Sequence, residues 1–164
     1  MRRSDREIKD FDEIIKVIEK CDVCRLGLND GEYPYIIPLN FGMQIESGKI
    51  VLYFHGATEG KKYDLIAKNN KASFEMDCSH RLVMDDEKGN CTMEYESVMG
   101  HGTVEVLQQE EKENGLYLLM KHYHQENFEF NKEIIPVTTV FKMTVEECTG
   151  KKLMKKIVNK GKNN

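Results

Sequence analysis

Near the amino terminus apolar residues recur at three- and four-residue spacing, in Ile8, Phe11, Ile15 and Ile18, a period that places them on one face of a helix. Ser4 and Glu7 stand ahead of them in capping-box relation, so the spacing predicts an amphipathic helix ending near Cys21. Over residues 23–28 the pattern changes to alternation, the mark of a strand with one buried face. Asn29-Asp30-Gly31 tolerates the positive φ of a tight turn and predicts a hairpin into a second strand over 33–43. Pro34 and Pro38 fall inside that strand; without an N–H to give a ladder, they imply an edge, a bulge or an opening beside a ligand.

Glu46-Ser47-Gly48 turns the chain into a nearly continuous apolar strand over 49–54. A glycine-punctuated loop over 55–60 leads to a short helix over 61–68 that buries Leu65 and Ile66. A strand over 72–77 follows, then a polar stretch over 78–91 read as an exposed loop or long hairpin connection. Residues 92–107 alternate as one long strand, with Gly100 and Gly102 predicting a bend or bulge. A third helix over 109–123 and a β-branched strand over 137–145 complete the pattern. About six strands, three peripheral helices, hairpin-type links and no βαβ series predict a mainly β, α+β fold, an antiparallel and partly closed barrel.

Composition narrows the class. With 164 residues, 40% hydrophobic and 32% charged, the chain suits one globular domain, expected over 1–150 with a basic tail over 151–164. No segment approaches the apolar length of a membrane span. No signal-like stretch appears, and the five cysteines form an odd set, so a cytoplasmic protein with reduced thiols is expected. Net charge is −4, but six lysines and no acid follow Gly150, leaving about −10 on the body. That balance argues against a nucleic-acid surface on the domain.

The stretch Leu52-Tyr53-Phe54-His55-Gly56-Ala57-Thr58-Glu59-Gly60-Lys61-Lys62 carries the most chemistry. A strand ends in a glycine loop with a hydroxyl and then two lysines at a helix start, which together supply the N–H groups, dipole and positive charge that hold a phosphate. It is not a P-loop: three residues rather than four separate its glycines, and Lys62 occupies the position of the magnesium-binding hydroxyl. His55, beside this cradle, is the one candidate for proton transfer and could equally bond a cofactor. Cys21-x-x-Cys24 with Cys78-x-His80 invites a zinc reading, but Cys21 falls on the apolar face of the first helix, Cys24 can point inward from a strand and the second pair lacks x-x spacing, so buried free thiols are the default and no metal is expected. His122 and His124 are read as helix C-terminal cations or exposed groups. Glu94 and Glu96 share a strand face without an evident acid–base partner.

Several segments in order, Cys21–Leu28, Tyr33-Pro34-Tyr35-Ile36-Ile37-Pro38-Leu39-Asn40-Phe41-Gly42, residues 53–62, Phe74-Glu75-Met76-Asp77-Cys78, Tyr95-Glu96-Ser97-Val98-Met99-Gly100-His101-Gly102 and Val140-Phe141-Lys142, resemble the pyridoxamine-phosphate-oxidase-like flavin proteins. The resemblance is strongest to the branch that includes the 5-nitroimidazole-resistance (Nim) proteins. It implies a split barrel and a homodimer with FMN in clefts between the subunits. It further implies Pro38, Leu39 and Asn40 along the isoalloxazine ring, His55, Gly56, Ala57, Lys61 and Lys62 around the phosphate, and Ser97, Met99 and Gly100 reaching the flavin from the partner subunit. The implied activity is FMN-dependent reduction of a small planar, nitro-aromatic substrate. Pyridoxamine-phosphate oxidation and a flavin- or tetrapyrrole-binding module without turnover are the alternatives.

Overall fold

The computed structural model describes residues 3–155; the lysines at 156, 160 and 162 lie outside them. Among the described residues there are eight strands and three α-helices: β1 (Glu7–Ile8), α1 (Phe11–Lys20), β2 (Cys24–Asp30), β3 (Tyr33–Leu39), β4 (Gly42–Glu46), β5 (Lys49–Gly56), α2 (Lys61–Lys68), β6 (Lys71–Asp85), β7 (Asn90–Val106), α3 (Gln109–His122) and β8 (Thr139–Leu153). Every pairing is antiparallel, in the order β3-β2-β6-β7-β8-β5-β4, with β1 added to the far end of β8. The fold is the α+β split barrel that the sequence predicts.

β3 and β4 form opposite edges of this sheet, yet only Asn40 and Phe41 connect them in the chain. Two residues reach at most about 10 Å between the flanking Cα atoms, so the sheet must roll until its edges meet there. The main core fills the roll: Leu26 and Leu28, Leu52 and Phe54, Phe74 and Met76, and Phe141 and Met143 point inward. β5 has both faces covered, Ile50, Leu52 and Phe54 on the barrel side and Val51 and Tyr53 under α3. This explains its unbroken apolar run.

Four expectations change. The first helix begins at Phe11 with Asp10 as its cap, the Asp10 carboxylate accepting from the Glu13 N–H at 3.0 Å; Ser4 lies in a 3₁₀ turn and Glu7 opens β1. Its buried face is therefore Ile14, Val17 and Ile18, and Phe11 is exposed. The strand expected over 33–43 breaks at Asn40 into β3 and β4, which with the additional β1 gives eight strands rather than about six. The polar stretch after Cys78 is not a loop: β6 continues past a bulge, where Ser79 takes φ of 59°, and pairs with β7 to Asp85 as a long two-stranded arm. β8 likewise runs on to Leu153, so the sheet takes in the first residues of the stretch read as a tail.

Glu94 and Glu96, unpartnered in the sequence reading, are buried and fully engaged. Arg81 contacts one Glu94 oxygen through two nitrogens, each at 2.7 Å, and the Lys155 N–H reaches the other at 2.5 Å. Glu96 accepts from Lys20 and Lys152, both at 2.9 Å, and from Ser79 at 2.8 Å. These bonds tie α1, the bulge and the end of β8 to the base of the arm.

Burial raises the Glu96 carboxyl, but the hydrogen bonds from Lys20, Lys152 and Ser79 outweigh it and hold the pKa at about 2. A carboxylate depressed on folding stabilises above its unfolded pKa and loses that stabilisation as pH falls through the folded one. Glu96→Gln is therefore expected to flatten the acid limb of stability between about pH 4.5 and 2 and to cost about 3 kcal/mol at most at neutral pH. Urea unfolding across that range measures it; an acid limb unchanged from the parent would show that the ion pairs contribute no net stability.

Candidate functional site

The register that pairs Gly42 with Tyr53, carried two residues back along β4's direction, brings Asn40 to the level of His55. β5 extends there beyond β4, ending at His55 and Gly56, which pair instead with Val140 and Thr139 of β8. α2 follows the β5 end, with Leu65 and Ile66 packed into the main core and the Tyr63 ring edge-on to Phe141 of β8 at 5.9 Å. Gly60 precedes it at φ 141°, ψ 154°, a conformation open essentially to glycine alone. No side chain caps the helix; the Tyr63 N–H donates to the Gly60 carbonyl at 3.0 Å, which leaves the N–H groups of Lys61 and Lys62 and the positive end of the dipole facing the loop.

The two predicted cradle lysines diverge. Lys61 forms an ion pair with Asp30 and stands 5.3 Å from the centroid of the Tyr35 ring, which anchors α2 to the β2–β3 hairpin. Lys62 turns the other way: its Nζ lies 4.4 Å from the Tyr63 ring centroid and, among the described residues, faces no carboxylate within ion-pair distance. A methyl group placed on Gly56 would stand 3.0 Å from Lys62 Nζ and 2.8 Å from the Tyr63 hydroxyl. Glycine at 56 thus leaves room beneath two converging polar groups. Ala57 is exposed in the following loop. His55 is exposed as a residue, yet surrounding protein, and secondarily the Lys62 ammonium, lower its pKa from the ordinary imidazole value. Its neutral form is favoured at neutral pH, so positive charge in the cradle comes from Lys62 and the helix.

On the facing edge Pro38 pairs opposite Arg25 and is exposed, while Leu39 packs against the main core. The Asn40 amide donates to the Tyr123 hydroxyl at 3.2 Å, as does the Phe41 N–H at 3.3 Å; Tyr123 in turn donates to the Asp22 carbonyl at 2.6 Å. His122 is 2.8 Å from the Cys21 carbonyl through Nε2, with its ring 4.1 Å from that of Phe41. It is a packed, bonded side chain in the last turn of α3 rather than an exposed one. Neither Tyr63 nor Tyr123 was singled out by sequence. Tyr63 could have been flagged as the residue after the lysine pair, but Tyr123 meets Asn40 across 83 positions and carries no local signal.

The remaining predicted contacts do not join this group within one chain. Ser97, Met99 and Gly100 lie on β7, three strands from β3 in the sheet order, or about 14 Å at ordinary strand spacing. Met99 and Gly100 line a hollow of about 640 Å³ on the outer face, together with Gly27, Pro34 and Ile36. Met99 is 53% exposed and Ile36 62%. Gly100 is required by its own sheet: a Cβ there would fall 2.4 Å from the Glu147 carbonyl oxygen and 2.8 Å from the Phe74 ring. The described residues thus form two separate surfaces, an anion-suited cleft at the barrel split and an apolar outer face.

A rolled antiparallel sheet with a helix-start cradle at its split defines a class of barrel, and the comparisons with known proteins identify it. Residues 10–152 match the family model described as pyridoxamine 5'-phosphate oxidase, and the chain belongs to that family. A candidate 5-nitroimidazole antibiotic resistance protein from Bacteroides thetaiotaomicron is 32% identical, with a TM-score of 0.77 over 88% of this chain and 85% of that one. A FAD-binding protein from Mesorhizobium loti (21% identical, TM-score 0.65, 91% and 98% covered) shares the fold. So does a FAD- and heme-binding protein from Mycobacterium smegmatis (15%, 0.77, 92% and 74%). No curated protein matches the sequence. No described helix is long and apolar enough to cross a membrane.

Because burial is the larger cause of the His55 shift and Lys62 the smaller, Lys62→Ala is expected to move the His55 pKa upward while leaving it below the ordinary value. Titration of the imidazole by NMR tests this; an unmoved midpoint would separate Lys62 electrically from the cleft.

Proposed function

We propose that this protein is an FMN-binding flavoprotein that passes electrons to a small planar acceptor and works as a homodimer. The observation that carries the reading is the uncapped start of α2 beside Gly56, where Lys62, free of carboxylates, converges with the Tyr63 hydroxyl. A phosphate dianion would be met by the Lys62 ammonium and the helix start, and a helix N-terminus with an adjacent lysine is a site of matching chemistry. Family membership and flavin-binding structural neighbours support a flavin as the bearer of that phosphate.

Bound flavin supplies the redox chemistry, and the protein supplies binding, orientation and electrostatics. In this reading Lys62 and the α2 N–H groups hold the phosphate, while Asn40, fixed by Tyr123, and Pro38 border the ring. His55, kept neutral, is the group able to give or take a proton at the cleft. Met99, Ser97 and Gly100 of the partner subunit would cover the ring's other side, which accounts for an apolar outer face that a lone chain leaves open.

A neutral acceptor such as a nitro-aromatic ring is favoured over pyridoxamine phosphate. Within the outer hollow the cationic Arg25 already faces Glu75 at 3.1 Å and Asp77 at 2.5 Å, and His101 lies 3.9 Å from Glu147. A phosphorylated substrate would therefore find no unpaired cation among the hollow's described lining residues, whereas Gly27, Pro34, Ile36 and Met99 suit a flat apolar one.

Purified protein mixed with FMN and desalted is expected to retain flavin absorbance between about 300 and 500 nm at one flavin per chain. Lys62→Ala should then weaken FMN binding by about 10- to 100-fold, the loss of a charge-assisted hydrogen bond. A colourless product would refute the flavin assignment. Met99→Arg, which introduces charge on the outer face, is expected to lower both the dimer mass seen by light scattering and the FMN affinity; a monomeric parent that binds flavin normally would refute the shared site.

A further inference from the structure

Two thiols from distant parts of the chain meet at one carbonyl. Cys21, the residue that ends α1, donates through Sγ to the Val17 carbonyl at 3.2 Å, and Cys78 of β6 approaches the same oxygen at 3.9 Å. Burial, and then the neighbouring Cys78 sulfur, raise the pKa of the Cys21 thiol above its ordinary value. Their exposure differs. Cys21 is 1% exposed and packed in the main core, whereas Cys78 is half-buried and lines a hollow of about 390 Å³ whose walls include Lys20, Arg25, Asp77 and His80. That polar lining admits water and small polar molecules to one sulfur and not to the other. Cys24, the nearer cysteine in sequence, is fully buried among apolar side chains. The backbone beside Cys78 has slack, because Ser79 and His80 stand outside the register between Cys78 and Arg81, with Ser79 at φ 59°. Cys78 can therefore shift toward Cys21 without breaking the ladder of the arm.

We propose that Cys21 and Cys78 are a redox-active dithiol: hydrogen peroxide entering the hollow oxidises Cys78, and Cys21 then closes a disulfide between the end of α1 and the bulge of β6. The Cys78 thiolate attacks one peroxide oxygen and the O–O bond breaks, which leaves a sulfenic acid on Cys78; the departing hydroxide takes up the proton that Cys78 gave and becomes water. The Cys21 sulfur next attacks the Cys78 sulfur, the S–O bond breaks, and the Cys21 proton leaves with the hydroxyl as a second water. Two thiols thus lose two electrons to one peroxide. The roles are not interchangeable, since only Cys78 faces the hollow and burial keeps Cys21 a protonated thiol. The segment tied down in this way also supports the joint at Asn40, because the carbonyls of Cys21 and Asp22 are the ones that His122 and Tyr123 bond, at 2.8 and 2.6 Å. The site is separate from the cleft at the β5 end and does not depend on the flavin reading.

The experiment treats the reduced full chain with stoichiometric hydrogen peroxide under native conditions, blocks the remaining thiols, and follows intact mass and cross-linked peptides. The expected result is the loss of two of the five thiols and of two hydrogens per chain, a Cys21–Cys78 cross-link identified by its fragment spectrum, and full reversal by dithiothreitol. Cys91 is exposed on the arm and reacts on its own account, so Cys91→Ser is expected to give the same cross-link. Cys21→Ser should instead accumulate a dimedone-reactive sulfenic acid on Cys78, and Cys78→Ser should leave Cys21 reduced; circular dichroism checks that both variants fold, and the parent's cross-link decides the matter if either does not. In urea the Cys21–Cys78 link should be lost, because only the fold brings the two thiols together. A Cys78 that stays a thiol, a sulfenic acid on Cys78 of the parent that never cross-links, a Cys21–Cys24 link in its place, or a Cys21–Cys78 link formed equally fast in urea would each overturn the inference. None of these outcomes touches the flavin reading, which FMN retention tests separately.

Discussion

The two residues Asn40 and Phe41 are the constraint on which the rest of the molecule depends. They join opposite edges of a seven-strand path, so no flat sheet satisfies the chain, and the roll that satisfies it leaves a split on one side of the joint. Everything near the joint fixes its position. Phe41 is fully buried, Tyr123 bonds both residues of the joint, and α3 passes so close that a Cβ on Gly42 would fall 2.5 Å from the Leu118 carbonyl carbon. A larger residue at 42 would push the helix and the joint apart. Once the edges are fixed, β5 overshoots β4, and the cradle lies where strand end, glycine and helix start coincide.

The split also presents two unpaired strand edges, which in most sheets invite association. Here each is blunted by different means. β3 carries Pro34 and Pro38, which remove donors from the ladder, and β4 is five residues long and covered by α3. The prolines therefore have a structural role that stands whether or not one of them touches a ring.

Much of the architecture was legible because it is local. The hairpin at Gly31, the bounds of α2 and the apolar strand over 49–54 follow from turn residues and periodicity over a few positions. The first helix was misplaced because Ser4 and Glu7 satisfy a capping pattern that Asp10 satisfies better, and a short pairing of Glu7 and Ile8 with β8 overrides the helical period. The arm beyond Cys78 was missed because its side chains are polar or exposed on both faces, leaving no alternation to read; its order comes from the ladder with β7 and from Glu94 and Glu96. Those two carboxylates find Arg81, Lys20 and Lys152 only after the sheet has formed. For the same reason a lysine pair could be recognised as a cradle, but not that Asp30 would claim one of the two.

That division of labour between Lys61 and Lys62 has a physical advantage for an anion site. Two unpaired ammonium groups at adjacent positions would repel each other in the empty cleft and hold α2 less firmly. Pairing Lys61 with Asp30 fixes the helix start in place, so the N–H groups and Lys62 are oriented before any ligand arrives, and little ordering cost remains to be met on binding. The neutral state of His55 acts in the same sense, since a second cation there would raise the energy of the ligand-free cleft. An anion entering it meets one oriented charge and one helix end, an arrangement that favours a phosphate through geometry more than through net charge.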